Sequence, residues 1–80
     1  MMKLFQRETC PYCKPVREKL TELGISYINI NVSKDRSHRD DMTAVTETHF
    51  IPALVDDDVV IPGRLEDCSH VLDYIQTKYG

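Results

Sequence analysis

Eighty residues leave room for one domain, residues 1–80, with a small core, and 41% apolar with 29% charged residues is the composition of a folded chain. Thirteen acidic against ten basic residues give a formal charge of −3, with no basic cluster and no tryptophan, which argues against nucleic acid as a partner. The opening Met1-Met2-Lys3-Leu4-Phe5 reaches Arg7 too soon for the apolar core of a signal peptide, and no stretch is long enough to span a membrane. A cytoplasmic, membrane-free protein is expected.

In chain order, residues 2–6 form an apolar-rich run that predicts a first strand ending just before Cys10-Pro11-Tyr12-Cys13. Val16, Leu20 and Leu23 then recur at i, i+4 and i+7, and Gly24 supplies a C-terminal stop, so a first helix follows the cysteines. Pro15 removes an early hydrogen bond of that helix and predicts a kink. Tyr27 to Val32 alternates with the period of a half-buried second strand. Residues 37–47 predict a short second helix with Met42 and Val45 inward, although Thr43 and Thr46 favour it weakly.

After Pro52, Ala53-Leu54-Val55, the acidic triplet Asp56-Asp57-Asp58 and Val59-Val60-Ile61 read as strand, solvated turn and strand. Three adjacent aspartates lack the alternating spacing of a calcium loop. From Leu65 onward Cys68, Leu72, Ile75 and Tyr79, with Val71 beside them, mark a C-terminal amphipathic helix. The order is βαβαββα. A crossover helix makes the first two strands parallel and a tight turn makes the last two antiparallel, so a mixed four-stranded sheet flanked by helices is expected. Ligands of such α/β sheets meet the loops beyond the carboxyl ends of the parallel strands, where the cysteine motif lies.

Three cysteines in a short chain without a signal peptide favour chemistry over a disulfide scaffold. Neither Cys68 nor His38, His49 and His70 completes a zinc-ligand spacing, so no metal is expected. The Cys-x-x-Cys spacing instead places one sulfur to attack a disulfide and a second, one helical turn on, to resolve the mixed disulfide. With Cys10 at the N-cap or first turn, free backbone N–H groups and the helix dipole favour its thiolate, and Arg7 and Lys14 add positive charge. Cys10 is therefore the expected nucleophile and Cys13, deeper along the helix, the resolving thiol. Pro11 stiffens the first helical position at little cost. Cys68 falls on the apolar stripe of the last helix and reads as a buried, inert thiol.

With Cys10-Pro11-Tyr12-Cys13, the basic Arg7 three positions earlier, the Arg39-Asp40-Asp41-Met42 stretch and Ile51-Pro52, the chain resembles the glutaredoxins over nearly its whole length. That resemblance implies a thioredoxin-like α/β fold and a monomer without a tightly bound cofactor. It further implies a glutathione-disulfide oxidoreductase and protein-disulfide reductase that uses glutathione as reductant and acts on disulfide-containing or glutathionylated proteins. It also implies a cis Ile51-Pro52 bond, with the Ile51 backbone pairing with the cysteine of glutathione as a short added strand.

Arg7 or Lys14 would hold the glycyl carboxylate, Tyr12 would flank the ligand, and the N–H groups of Asp67 and Cys68 would bind the γ-glutamyl carboxylate. Its ammonium would go to Asp67 or Glu66. Here the chain departs from the family, because Pro62-Gly63-Arg64-Leu65-Glu66-Asp67 replaces the usual Gly-Gly and Phe50 replaces a Thr. The segment Asp67 to Ile75 is more similar to the N-terminal domain of glutathione transferases, although an end at Gly80 without a helical second domain disfavours that activity. Two alternatives remain: a redoxin served by a flavoprotein reductase, and a protein holding an iron-sulfur cluster with glutathione.

Overall fold

The computed structural model describes residues 1–80. Strand β1 (Met2–Gln6) is followed by α1 (Lys14–Glu22), β2 (Ile28–Asn31), a 3₁₀ turn at Arg36–His38, α2 (Asp40–Thr46), β3 (Ala53–Asp56), β4 (Val59–Ile61) and α3 (Ser69–Tyr79). The sheet runs β2-β1-β3-β4, with β1 parallel to β2 and antiparallel to β3, and β3 antiparallel to β4. This is the thioredoxin-like mixed sheet that the alternation of patterns predicts.

The two central strands carry the apolar runs because both of their faces are covered. On one face Met2, Leu4 and Leu54 pack with Val16 and Leu20 of α1 and Val71 and Ile75 of α3. On the other, Phe5 and Ala53 pack with Met42 of α2. Gly24 stops α1 in the left-handed conformation at φ 68°, as expected of a residue without a Cβ.

Several local expectations need correction. Strand β2 lies at the sheet edge and is largely exposed: Ile30 and Val32 turn toward the α2 side, but Ile28 is 44% exposed. At seven residues α2 is only about 10 Å long and leaves the end of that strand uncovered. The single predicted helix over 37–47 is divided. Asp35 accepts from the Ser37 N–H at 2.9 Å and starts a 3₁₀ turn, which breaks at Arg39 (φ −110°, ψ 46°) before α2 begins. Within α2, Val45 faces solvent and Thr46 is buried in its place. The Thr46 hydroxyl can be buried because it donates to the Met42 and Thr48 carbonyls at 3.0 and 2.9 Å.

Nor is the acidic triplet wholly a solvated turn. Asp57 and Asp58 make the turn, but Asp56 ends β3 at 4% exposure. One of its oxygens accepts from the Tyr79 hydroxyl at 2.6 Å, the Tyr74 hydroxyl at 2.8 Å and the Lys78 ammonium at 3.0 Å. This cluster fastens the end of α3 to the sheet. It also explains why Tyr79, predicted on the apolar stripe, is 39% exposed: its ring lies at the surface and its hydroxyl reaches inward. The fully buried line of α3 is Val71 and Ile75.

The Tyr79 hydroxyl, then those of Tyr74 and the Lys78 ammonium, hold the Asp56 carboxyl below its usual value despite burial. A carboxyl lowered in the folded state adds stability above about pH 4 that is lost as pH falls through the folded value. Asp56→Asn is therefore expected to cost about 1–3 kcal/mol at pH 7. In urea titrations its deficit relative to the parent protein should shrink toward pH 3; a deficit independent of pH would show that the charge contributes nothing.

Candidate redox site

The site forms where β1 ends. The chain turns back through Glu8 and Thr9, the Cys10 N–H bonds to the Arg7 carbonyl at 3.1 Å, and the Cys13 N–H bonds to the Cys10 carbonyl at 3.2 Å. Regular α-helix begins only at Lys14, with Cys13 as its N-cap. Pro15 is the cause, since without an N–H it cannot bond back to Pro11, and at the second helical position it breaks no ladder bond. The kink predicted at Pro15 therefore does not arise, because the helix begins at Lys14. Cys10 and Pro11 stand a turn ahead of the helix proper, not at its N-cap or first position.

Both thiols are free, Cys10 half-buried at the surface and Cys13 fully buried beneath it. Burial pushes the Cys13 thiol up to about 12; a hydrogen bond and charge from Cys10 push the same way, while the Arg7 backbone and the Arg17 charge oppose them. Behind the dithiol lies a polar cluster that the sequence did not signal. Gln6 is fully buried, accepts from the Arg17 guanidinium at 2.5 Å, and has its amide nitrogen 2.6 Å from Asn29 and 3.1 Å from Asn31. Arg17 also reaches the Arg7 carbonyl at 3.4 Å, tying α1 to the loop that carries the cysteines.

In front of Cys10 opens a groove of about 660 Å³. Arg7, Pro11, Tyr12, Phe50, Ile51, Arg64, Leu65 and Glu66 line it with Cys10. Lys34, Asp35, Arg36 and Arg39 complete it. The Ile51-Pro52 peptide bond is cis, Pro52 is buried, and the Ile51 backbone makes no hydrogen bond within the chain.

Of the residues singled out from sequence, the fold thus brings Arg7, Cys10, Tyr12, Ile51 and Glu66 to one groove, with Cys13 and Pro52 buried next to them in the chain. Lys14 is exposed on α1 and does not line it. Asp67 is also outside: its carboxylate accepts from the Ser69 N–H at 2.9 Å and the Ser69 hydroxyl at 2.8 Å, ahead of Cys68, the residue at the N-cap of α3. Its backbone bridges to Arg64. Cys68 is half-buried against the main core, and burial, Asp67 and the Cys10 charge, in that order, push its thiol up. It is less enclosed than the fully buried thiol expected.

Arg39 was noticed in the sequence only as part of a stretch. It is 7% exposed, and its guanidinium donates to the Ser33 and His49 carbonyls, both at 2.7 Å. Burial lowers its pKa first, and repulsion from Arg36 and Arg7 adds to this, whereas Cys10 and Cys13 oppose the shift. Phe50, the departure noted before Ile51-Pro52, lies under the Arg36 guanidinium at 5.6 Å from the ring centre.

A thioredoxin-like sheet thus presents a free dithiol between its first strand and first helix, on the same groove as a cis-proline loop. The glutaredoxin family model matches residues 2–61, and the chain belongs to that family. It is 30% identical over 63 residues to an uncharacterized glutaredoxin-like 8.6 kDa protein encoded in the rubredoxin operon of Clostridium pasteurianum, covering 79% of this chain and 84% of that one.

Among solved structures, a diazinon-metabolizing glutathione S-transferase of the silkworm Bombyx mori matches 99% of this chain and 38% of its own, at 26% identity and TM-score 0.79. The Archaeoglobus fulgidus glutaredoxin matches 94% of this chain and 85% of its own, at 18% identity and TM-score 0.69, a likeness of fold. The chain spans little more than a third of the length of the glutathione transferases it matches.

Proposed function

We propose that the protein is a glutathione-dependent thiol-disulfide oxidoreductase, a monomer of the cytoplasm that reduces protein disulfides and glutathione mixed disulfides. The observation that supports this best is the pairing of a half-exposed Cys10 with the unpartnered backbone of Ile51 across one groove. An extended cysteine-containing peptide such as glutathione fits that arrangement, its backbone adding to Ile51 and its sulfur meeting Cys10. The likeness to glutathione transferases supports the same ligand.

In this reading the Cys10 thiolate attacks the glutathione sulfur of a mixed disulfide, a new Cys10–glutathione disulfide forms, and the protein thiol leaves as its thiolate and takes up a proton. A second glutathione, as thiolate, then attacks the glutathione sulfur of that disulfide, releasing oxidised glutathione and restoring Cys10. For a protein disulfide, Cys10 becomes joined to the substrate and Cys13 attacks the Cys10 sulfur. That leaves an internal disulfide, which two glutathiones reduce. Cys13 is suited to act second. Burial is the largest influence raising the Cys13 thiol and persists, but the hydrogen bond and charge from Cys10 that add to it end once Cys10 enters a disulfide.

One observation favours a second reading, a redoxin reduced by a flavoprotein reductase. The Asp67 carboxylate is occupied by the Ser69 N–H and hydroxyl, and Arg64, Leu65 and Glu66 stand where the family usually has Gly-Gly. The test is to mix the oxidised protein and a disulfide substrate with glutathione and glutathione reductase, or with a thioredoxin-type reductase system, and follow NADPH consumption. Rapid turnover with glutathione is expected. Turnover with the flavoprotein system alone would replace the proposal with the second reading.

A further inference from the structure

We propose that this site selects disulfide-bearing proteins whose target cysteine is flanked by an acidic, extended segment, which lies against Lys34 and Arg36. The inference rests on the redox reading above and concerns which substrates reach Cys10. It starts from a charge imbalance: five of the ten basic residues line the groove, against two of the thirteen acidic ones, in a chain of net charge −3.

None of Arg7, Lys34, Arg36 and Arg39 forms an ion pair within the chain, although acids are in excess. The acid beside them is otherwise engaged. One Asp35 oxygen accepts from the Ser37 N–H at 2.9 Å and hydroxyl at 2.7 Å, and the other lies 3.5 Å from His38. Four uncompensated cations around one groove repel one another, a cost that a bound anion removes.

Glutathione carries two carboxylates and one ammonium, so it neutralises part of this charge and leaves the rest. Arg7 lines the groove beside Cys10, and the charges of the buried Arg39 and of Arg17 act on the dithiol. Lys34 and Arg36 are exposed, and Arg36 is steadied over Phe50, the residue that precedes Ile51. A substrate chain extended along Ile51 therefore passes Phe50 with Arg36 alongside. Carboxylates on that chain, adjacent to the disulfide, complement Lys34 and Arg36 and raise the rate of encounter.

The experiment uses three peptides with the same central cysteine, each held as a mixed disulfide with uncharged 2-mercaptoethanol and flanked by glutamates, glutamines or lysines, so that the peptide chain itself takes the place along Ile51. Each rate is normalised to that of the same protein on the uncharged bis(2-hydroxyethyl) disulfide. At low salt kcat/KM is expected to fall about tenfold from the acidic to the neutral peptide and further to the basic one, and the ranking should collapse in 0.5 M NaCl. Lys34→Glu with Arg36→Glu should invert it. Equal rates for the three peptides, an unchanged ranking in the double variant, or inhibition by an oligonucleotide without any ranking among peptides would overturn the inference. Reduction of none of the four disulfides would remove the redox reading itself, and the inference with it.

Discussion

Cys10→Ser is expected to lose all measurable disulfide reduction, while Cys13→Ser should keep activity on glutathionylated substrates within about tenfold of the parent and lose it on protein disulfides. The asymmetry follows from where the two sulfurs lie. Cys10 is the half-exposed one and lines the groove; Cys13 is fully buried, with a thiol pushed up to about 12. A thiol that burial holds protonated is a poor nucleophile and is not suited to begin an attack. Trapping separates the roles: after reaction with oxidised glutathione, mass spectrometry of Cys13→Ser should show one glutathione on Cys10. Full turnover by Cys10→Ser would overturn the assignment of the nucleophile.

The second large effect is expected from Gly63→Ala. A Cβ at Gly63 would lie 1.9 Å from the Phe50 carbonyl oxygen and 2.4 Å from its carbon, backbone atoms that cannot rotate away. Either the 62–67 loop or the Phe50-Ile51 segment must shift, at a cost of about 1–3 kcal/mol in stability. A shift of Ile51 also misplaces the backbone that faces Cys10, and misplacement of about 1 Å is enough to lower kcat/KM about 100-fold. Gly24→Ala is the control. Its φ of 68° makes it strained by about 1–2 kcal/mol, but the space around it is open and it is remote from the groove. Comparable stability losses with activity lost only in Gly63→Ala would show that the 62–67 loop positions Ile51; parent-like turnover in Gly63→Ala would refute it.

What could be read from the sequence was what neighbours in the chain determine. The apolar runs of β1 and β3, the i, i+4, i+7 stripe of α1, Gly24 and the Cys-x-x-Cys spacing are all local patterns, and each stands where its period placed it. The misreadings share the opposite property. Asp56 looked like one more turn aspartate because its partners, Tyr74, Lys78 and Tyr79, come 18 to 23 residues later. Val45 was assigned inward on hydropathy alone, whereas Thr46 is one helical turn beyond Met42 and has its own carbonyl partners. The absence of a basic cluster in the sequence is accurate and still misleading. Arg7, Lys34 with Arg36 and Arg39, and Arg64 come from three distant segments, and only the strand order collects them around Cys10.

Arg39 differs in kind from the other cations there. Its donors are held by main-chain carbonyls of Ser33 and His49, dipoles that fix a guanidinium in place without cancelling its charge. An exposed Lys34 must be drawn in from solvent each time a negative charge appears, losing rotamer freedom as it comes. Arg39 is already oriented, so in the exchange proposed above its field at the dithiol is present throughout and needs no reorganisation when the negative charge moves from one sulfur to the next. The work of orienting this charge beside the dithiol is done once, when the chain folds.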